Sequence, residues 1–379
     1  FTLNQYVMGF NQPSFNPKNT YGLEKILKNK LDLTLKQKRF DEVDIGIKIQ
    51  RVSGPILYEK NAQDAFIPAS TQKIITAVTA MMKYDFRHRF YTDLRHDGVI
   101  QRGVLKGNLY LIGYGDPLFS DDSLRKLVSD LKNFNINNVQ GDIIVVDHYF
   151  NPNQTIDYSR ASHFYALSSA LSLDNNSVKL GYKDGLIYKK SSTDFITISQ
   201  NITYEDTTLY SGRPKISFYS TDNQDHFTIK GLVTKGDIIN DNLDVRISRP
   251  ALYCGTRFKE LLLEHGVSID GKVKKGHFPK ETTLISKLLS QPLENVVSFM
   301  MKKSNNMVSD MLTLHLGADF KGKPGTFEKG VAVLNDFSKS RFKFNSSNFN
   351  FVDTSGLSYE NRLSPEQLNK VLIQMYRNP

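Results

Sequence analysis

The chain has 379 residues, room for two or three domains at roughly 150 residues each, and its 39% apolar content supplies a sizeable core, which excludes a peptide hormone or a disordered tail. Lys plus Arg number 49 against 39 Asp plus Glu, and the resulting +10 is mixed along the chain rather than gathered in blocks, which argues against a nucleic-acid arm while favouring an unnamed anionic partner. One cysteine, Cys254, excludes an intrachain disulfide framework and, with eight scattered His, a Cys-rich zinc module, and the longest apolar stretch, Ile74 to Met82, is half of a bilayer crossing, so no transmembrane segment is expected.

The chain opens at Phe1 with neither an initiator Met nor a basic-then-apolar export signal, as a processed or a trimmed chain would. Tyr21 to Leu35 places Leu23, Ile26, Leu27 and Leu31 at helical spacing, which predicts an amphipathic helix. Val43 to Gln50 alternates with period two and reads as a strand. Ser53-Gly54-Pro55 interrupts it and Ile56-Leu57-Tyr58 resumes, giving an antiparallel hairpin. From Ser70 the pattern turns helical, with Ile74, Ile75, Val78, Met81 and Met82 on one broad apolar face.

Arg87 to Ile112 reads as β-rich, Asp121 to Phe134 as a helix capped by Ser120, and Asp142 to Asp147 as an apolar strand; the last two suggest an α/β unit. Lys189 to Asp237 is rich in Thr, Ile, Tyr and Phe, with turn signals at Ser211-Gly212 and Asp222-Asn223, and fits a small all-β module. Helices then dominate: Leu252 to His265, Leu293 to Met301, Met307 to Leu316, Phe327 to Lys339 and Pro365 to Tyr376, with Pro292 and Pro365 at early helix positions. The fold class is α/β (α+β) and multidomain, a helix-and-strand domain split by a β-rich insertion.

Two short strings can carry chemistry. In Ser70-Thr71-Gln72-Lys73 a hydroxyl and an amine three apart at a helix start share a face, close enough for the amine to take the hydroxyl proton. The same spacing recurs at Ser123 to Lys126, Ser129 to Lys132 and Ser340 to Lys343, and a capped helix with a surface Lys satisfies it equally. Context separates Ser70: Pro68 precedes it, and the apolar turns that follow would strip Lys73 of hydration and lower its pKa. Ser304-Asn305-Asn306, between two helical stretches, can relay a proton and hold a substrate amide, or simply cap a helix; Ser14-Phe15-Asn16 and Ser346-Ser347-Asn348 share its form.

Together with Gly113-Tyr114-Gly115-Asp116-Pro117, Ile247-Ser248-Arg249-Pro250 and Asp353-Thr354-Ser355-Gly356-Leu357-Ser358, and in this order along most of the chain, these strings resemble the D-alanyl-D-alanine carboxypeptidases/endopeptidases, the class C low-molecular-mass penicillin-binding proteins. The resemblance implies a transpeptidase-like domain, a sheet flanked by helices, at 1–90 and 285–379. It is split by nested insertions, one at 91–180 with 238–284 and a small β-rich one at 181–237. It implies Ser70 as the acylated nucleophile, Lys73 as its base, Ser304 as a proton shuttle and Asn306 as a ligand of the substrate amide. Asn305 stands where relatives often carry Asp. Ser355 and Gly356 would shape the cleft, and Asp147 resembles an insertion-domain acid that in some relatives reads a free amine on the peptide stem; a solvated Asp at a strand end is the plainer reading.

The implied activity is serine-type DD-carboxypeptidase or DD-endopeptidase action on peptidoglycan stems ending in D-Ala-D-Ala, with β-lactams as inhibitors, no cofactor, no metal and no nucleic acid. The implied compartment is the periplasm or the extracytoplasmic envelope. A serine β-lactamase, or a catalytically inactive wall-binding protein, are the alternatives. The family's third motif, Lys-Thr-Gly, is absent from the chain; Lys323-Pro324-Gly325 is the nearest string, but its Pro lacks an N–H and it precedes the Asp353 element. In relatives the motif would fall beyond Pro379, so the chain is expected to continue past that residue.

Overall fold

The computed structural model describes residues 20–152, 167–209, 214–221, 224–239, 243–278, 280–345 and 348–377. The turn signals at Ser211-Gly212 and Asp222-Asn223, and the strings at Ser14 and Ser346, lie outside these residues in whole or in part. The chain divides into two compact units, one of residues 1–79 and 334–379, the other of residues 80–333.

In the first unit, helix α1 (Thr20–Leu35) packs on the hairpin of β1 (Ile47–Gln50) and β2 (Ile56–Lys60). The strand expected over 43–50 is therefore only half formed. Its partner β2 supplies register as far as Lys60, which faces Ile47, and Asn61 then turns away in a left-handed conformation while its amide donates to the Ile45 carbonyl. Gly46 is pressed against the Phe66 ring, where a Cβ would stand 2.3 Å from a ring carbon. Helix α9 (Pro365–Arg377) covers β1, and Lys48, its side chain buried, pairs with Glu366. Here too begins α2 (Gln72–Tyr84), preceded by a 3-10 turn over Ala69–Thr71, so the regular helix starts two residues later than the pattern of apolar positions predicts.

In the second unit, β3 (Tyr91–His96), β6 (Leu109–Gly113), β8 (Ile143–Val146), β16 (Val273–Lys275) and β17 (Thr283–Leu289) form a five-stranded sheet of order β16-β8-β6-β3-β17. The fully buried β6 and β8 run parallel, joined through α3 (Asp121–Asn133), as the expected α/β unit requires. Ser120 caps α3 in a reciprocal pair with Ser123. Helix α5 (Pro250–Glu264) lies close over β8 and β16 because Gly255 has no side chain: a Cβ there would stand 2.5 Å from Val145 and 2.7 Å from Val273. Cys254, next to it, is sealed inside the same core.

Smaller sheets complete this unit. One holds β4 (Val99–Gln101), β5 (Val104–Lys106), β7 (Asn138–Val139) and β15 (Ser268–Ile269); a second holds β9 (Ser177–Lys183), β10 (Leu186–Lys189) and β14 (Asp244–Arg246). The third, of β11 (Ile196–Glu205), β12 (Lys215–Ser220) and β13 (Asp225–Thr234), corresponds to the expected β module and ends in the short helix α4 (Lys235–Ile239). Helices α6 (Leu293–Lys303), α7 (Asn306–Lys321) and α8 (Phe327–Phe342) follow, with Pro292 as the residue before α6 rather than inside it. The Lys323-Pro324-Gly325 string sits between α7 and α8, where Gly325 exchanges backbone hydrogen bonds with Tyr149 and Asn151.

Helix α7 carries His315 into the core. The Gly115 carbonyl can only accept, so the ring donates to it from Nε2, at 2.8 Å, and burial drives the imidazole pKa down to about 4. Gly115, at φ 84°, leaves no room for a side chain: a Cβ would stand 2.5 Å from that nitrogen. The neighbouring Asp116 is also buried, which raises its carboxyl pKa to about 6 against the opposing bond from the Leu118 N–H. Among the described residues no helix is long and apolar enough to cross a membrane.

Candidate active site

Ser70 and Lys73 are brought together as their spacing predicts. The 3-10 turn sets Ser70, exposed, at the mouth of α2, and one turn on Lys73 is buried to 1% exposure with its Nζ 3.2 Å from Ser70 Oγ. A second contact was invisible in the sequence: Lys73 Nζ donates to the Ser355 carbonyl at 2.6 Å. That bond holds the ammonium or amine on one side while the hydroxyl meets it on the other. Ser70 also stands at the positive end of the α2 dipole, which favours negative charge developing on its oxygen.

The loop at Ser355 is built for this approach. The Asp353 carboxylate accepts from the Gly356 N–H at 2.6 Å, from the Ser358 N–H and from Asn361 Nδ2 at 3.0 Å, tying the turn into one shape. Gly356, at φ 85°, passes so near the nucleophile's backbone that a Cβ would stand 1.8 Å from the Ala69 carbonyl oxygen. Thr76, one turn beyond Lys73, donates to the Thr354 carbonyl at 2.8 Å, so the loop is fastened to α2 at two successive turns. Ala69 itself is held left-handed at φ 46°, a strained conformation for a residue with a Cβ, directly before the nucleophile.

Ser304 and Asn306 belong to the second unit. Ser304 ends α6 in a left-handed conformation at φ 49°, its N–H bonded to the Met300 carbonyl, and is exposed. Asn305 caps α7 by accepting from the Val308 N–H at 2.9 Å, which leaves Asn306 as the first helical residue. The left-handed break thus places a hydroxyl and an amide two residues apart at the start of α7.

Asp147, also in the second unit, follows β8 and is buried. Its Oδ2 accepts from Ser169 Oγ at 3.2 Å and pairs with Lys275 Nζ at 3.0 Å; its Oδ1 has no hydrogen-bond partner among the described residues. It lines a cavity of about 250 Å³ with Phe150, Ser169, Arg249 and Lys275. Lys275 was not singled out by the sequence, where nothing distinguishes it from the other lysines. Among the described residues no three His, Cys, Asp or Glu side chains gather in a way that could hold a metal ion.

A serine hydroxyl bonded to a buried lysine at a helix start is the constellation of serine acyl-transfer enzymes that use lysine rather than histidine as base. The chain belongs to the D-Ala-D-Ala carboxypeptidase 3 (S13) family, whose profile matches residues 27–379. It is 26% identical over 366 residues to the D-alanyl-D-alanine carboxypeptidase DacB of Haemophilus influenzae, a match covering 92% of this chain and 74% of that protein. It is 22% identical to a D-alanyl-D-alanine carboxypeptidase of an Actinomadura species, over 92% of this chain and 67% of that one. The fold is similar to the crystal structure of penicillin binding protein 4 (dacB) from Haemophilus influenzae in complex with a β-lactam, at a TM-score of 0.72 and 24% identity, covering 92% of this chain and 77% of that one.

Proposed function

We propose that this serine-type DD-peptidase acts on peptidoglycan stem peptides ending in D-Ala-D-Ala through an acyl-enzyme on Ser70. The observation that carries the reading is the placement of Lys73 Nζ between Ser70 Oγ at 3.2 Å and the Ser355 carbonyl at 2.6 Å, in a member of this family. Lys73 accepts the Ser70 proton as Oγ bonds to the carbonyl carbon of the penultimate D-Ala. The C–N bond to the terminal D-Ala breaks, and Ser304 passes a proton to the departing nitrogen. Water then adds to the ester carbon and releases Ser70. Asn306 holds the substrate amide. Endopeptidase action on a cross-link follows the same steps with a larger amine leaving.

On this reading residues 1–90 with 285–379 form the catalytic domain, 91–180 with 238–284 and 181–237 are insertions, and the enzyme works outside the cytoplasmic membrane, in the periplasm or envelope. Asp147 offers its Oδ1, which has no hydrogen-bond partner among the described residues, to an ammonium on the stem. A penicillin imitates the reacting peptide while its leaving group stays tethered, so it halts at the acyl stage.

The test is a fluorescent penicillin followed by peptide mapping. Label on Ser70, lost in Ser70→Ala and slowed in Ser304→Ala and Asn306→Ala, supports the reading; absence of label from full-length folded protein overturns it. Sustained turnover of a chromogenic cephalosporin would assign a β-lactamase instead. Wall binding unchanged by Ser70→Ala, without product from either protein, would assign a wall-binding role.

A further inference from the structure

Asn306 stands between two residues that a distant turn grips. Asp174, Asn175 and Asn176 follow one another in the left-handed region, with φ of 47°, 58° and 49°. That conformation costs an L residue roughly 1 kcal/mol or more, least for Asp and Asn, and a run of three persists only where its surroundings impose it. The surroundings here include the start of α7. The Val308 N–H takes Asn305 Oδ1, which fixes the orientation of that amide, so its Nδ2 faces away from the helix and donates to Asn175 Oδ1 at 2.9 Å. Asn176, fully buried, donates to the Leu167 carbonyl at 2.6 Å and Ser172 Oγ at 2.9 Å, and its Nδ2 lies 3.5 Å from Met307 Sδ. Neighbouring side chains of one strained turn therefore reach residues 305 and 307, on either side of Asn306.

We propose that Asn175 is a positioning residue for the Ser304–Asn306 element: through the Asn305 amide it sets the angle at which Ser304 and Asn306 are presented. This rests on the catalytic reading of those two residues given above. Ser304 is left-handed and exposed at a helix break, so a small rotation of the peptide after it moves its hydroxyl. The Asn175–Asn305 bond opposes that rotation, and misplacement of a catalytic group by about 1 Å costs as much as a hundredfold in rate.

The polarity of the bond makes the proposal specific. Whatever stands at 305 must turn an oxygen to Val308, so its remaining atom faces 175. Asn175→Asp leaves an acceptor opposite the Asn305 donor. Asn305→Asp presents an acceptor, which Asn175 satisfies by turning its amide over. The double variant sets two carboxylates against each other, bridged only when one holds a proton. The charged groups around the pair are Asp174 on the turn, Lys179 of β9, Lys190, Asp244 and Arg246 of β14, and Lys303 at the end of α6, all lining one cavity of about 900 Å³ with Asn175 and Asn305. They are common to every variant, so comparison with the parent isolates the pair.

The experiment is the rate of Ser70 acylation by a fluorescent penicillin in full-length protein between about pH 5 and pH 8, with thermal unfolding as the check on folding. Asn175→Ala should acylate roughly ten- to a hundredfold slower, and each single Asp variant within about threefold of the parent. The double variant should be as slow as Asn175→Ala at the high end of the range and recover towards the parent at the low end. Parent-like acylation by Asn175→Ala, or a double variant with the parent's rate and pH profile, overturns the proposal. Parent-like acylation by Ser304→Ala, with Ser70 still labelled, instead removes the catalytic role of the element and the proposal with it.

Discussion

Lys73 and Ser355, 282 positions apart, meet at 2.6 Å, side-chain nitrogen to carbonyl oxygen. The proposed base is thus oriented by the backbone of a loop, and that loop reaches it only because the next residue is Gly356. Two φ-positive glycines separate the conformational from the steric demand. Gly356 faces the Ala69 carbonyl, whereas Gly322, at φ 94°, has nothing within 4 Å of where a Cβ would be. Each replacement by Ala puts a side chain on a positive-φ backbone, which costs about 1–3 kcal/mol. Only Gly356→Ala must also push the loop off Ala69, so it should slow penicillin acylation by roughly tenfold or more, while Gly322→Ala lowers the unfolding temperature and leaves acylation unchanged. Equal acylation rates in the two variants would count against a positioning role for the loop.

Thr76→Val tests the second fastening. It removes the hydroxyl that serves the buried Thr354 carbonyl. Loss of that buried hydrogen bond costs about 0.5–1.5 kcal/mol, read as a lower denaturant midpoint with unchanged m-value. An unchanged midpoint would mean that the carbonyl finds another donor.

Stability against pH should show two opposed contributions. His315 is held near pKa 4 against 6.5 unfolded, so the unfolded chain binds the proton more readily and the contribution of the neutral ring is lost as pH falls from 6.5 to 4. Asp116, raised to about 6 from 3.8, acts in the other direction: its neutral carboxyl favours the fold at low pH, and that contribution is lost as pH rises from 3.8 to 6. Each amounts to about 3 kcal/mol at 1.36 kcal/mol per pKa unit. Relative to His315→Gln, the parent should therefore gain stability as pH rises through this window; relative to Asp116→Asn it should lose it. Denaturant titrations at several pH values measure both differences, and parallel curves would refute the assignment.

Lys275→Met should change selectivity rather than folding. The Lys275 side chain is 45% exposed, so its pair with Asp147 contributes at most about 1 kcal/mol. Removing the ammonium leaves Oδ2 with the Ser169 hydroxyl and frees its charge for a cationic ligand. KM for a stem peptide with a free side-chain amine should fall several-fold, and KM for the same stem acetylated on that amine should not move. If both respond alike, Asp147 does not read the amine.

The helices and the apolar strands were legible because their signals are local: period 3.6 in α5 through α9, continuous burial in β8, a serine cap before α3. The strand over 43–46 was misread for the opposite reason. Alternation is the same whether or not a partner is present, and β2 ends its pairing at Lys60. Spacing predicts the Ser70–Lys73 contact but recurs elsewhere in the chain, and two other serines with that spacing are engaged differently. Ser123 is spent in the cap of α3, and the Ser340 hydroxyl bonds back to the Asp336 carbonyl within α8. Ser355 as the orienting carbonyl, Asn175 beneath Asn305 and Lys275 beside Asp147 were beyond reach, since each contact spans more than a hundred residues and involves residue types that abound in the chain.

Cys254 has no exposed surface, and burial holds its thiol pKa well above the ordinary value. It is the chain's sole sulfhydryl. In folded molecules it is neither ionised nor reachable, so a maleimide dye will register only those whose second unit has opened. A cysteine engineered at any surface position would then react against a silent background, and the wild-type chain serves as a ready scaffold for single-site spectroscopic probes.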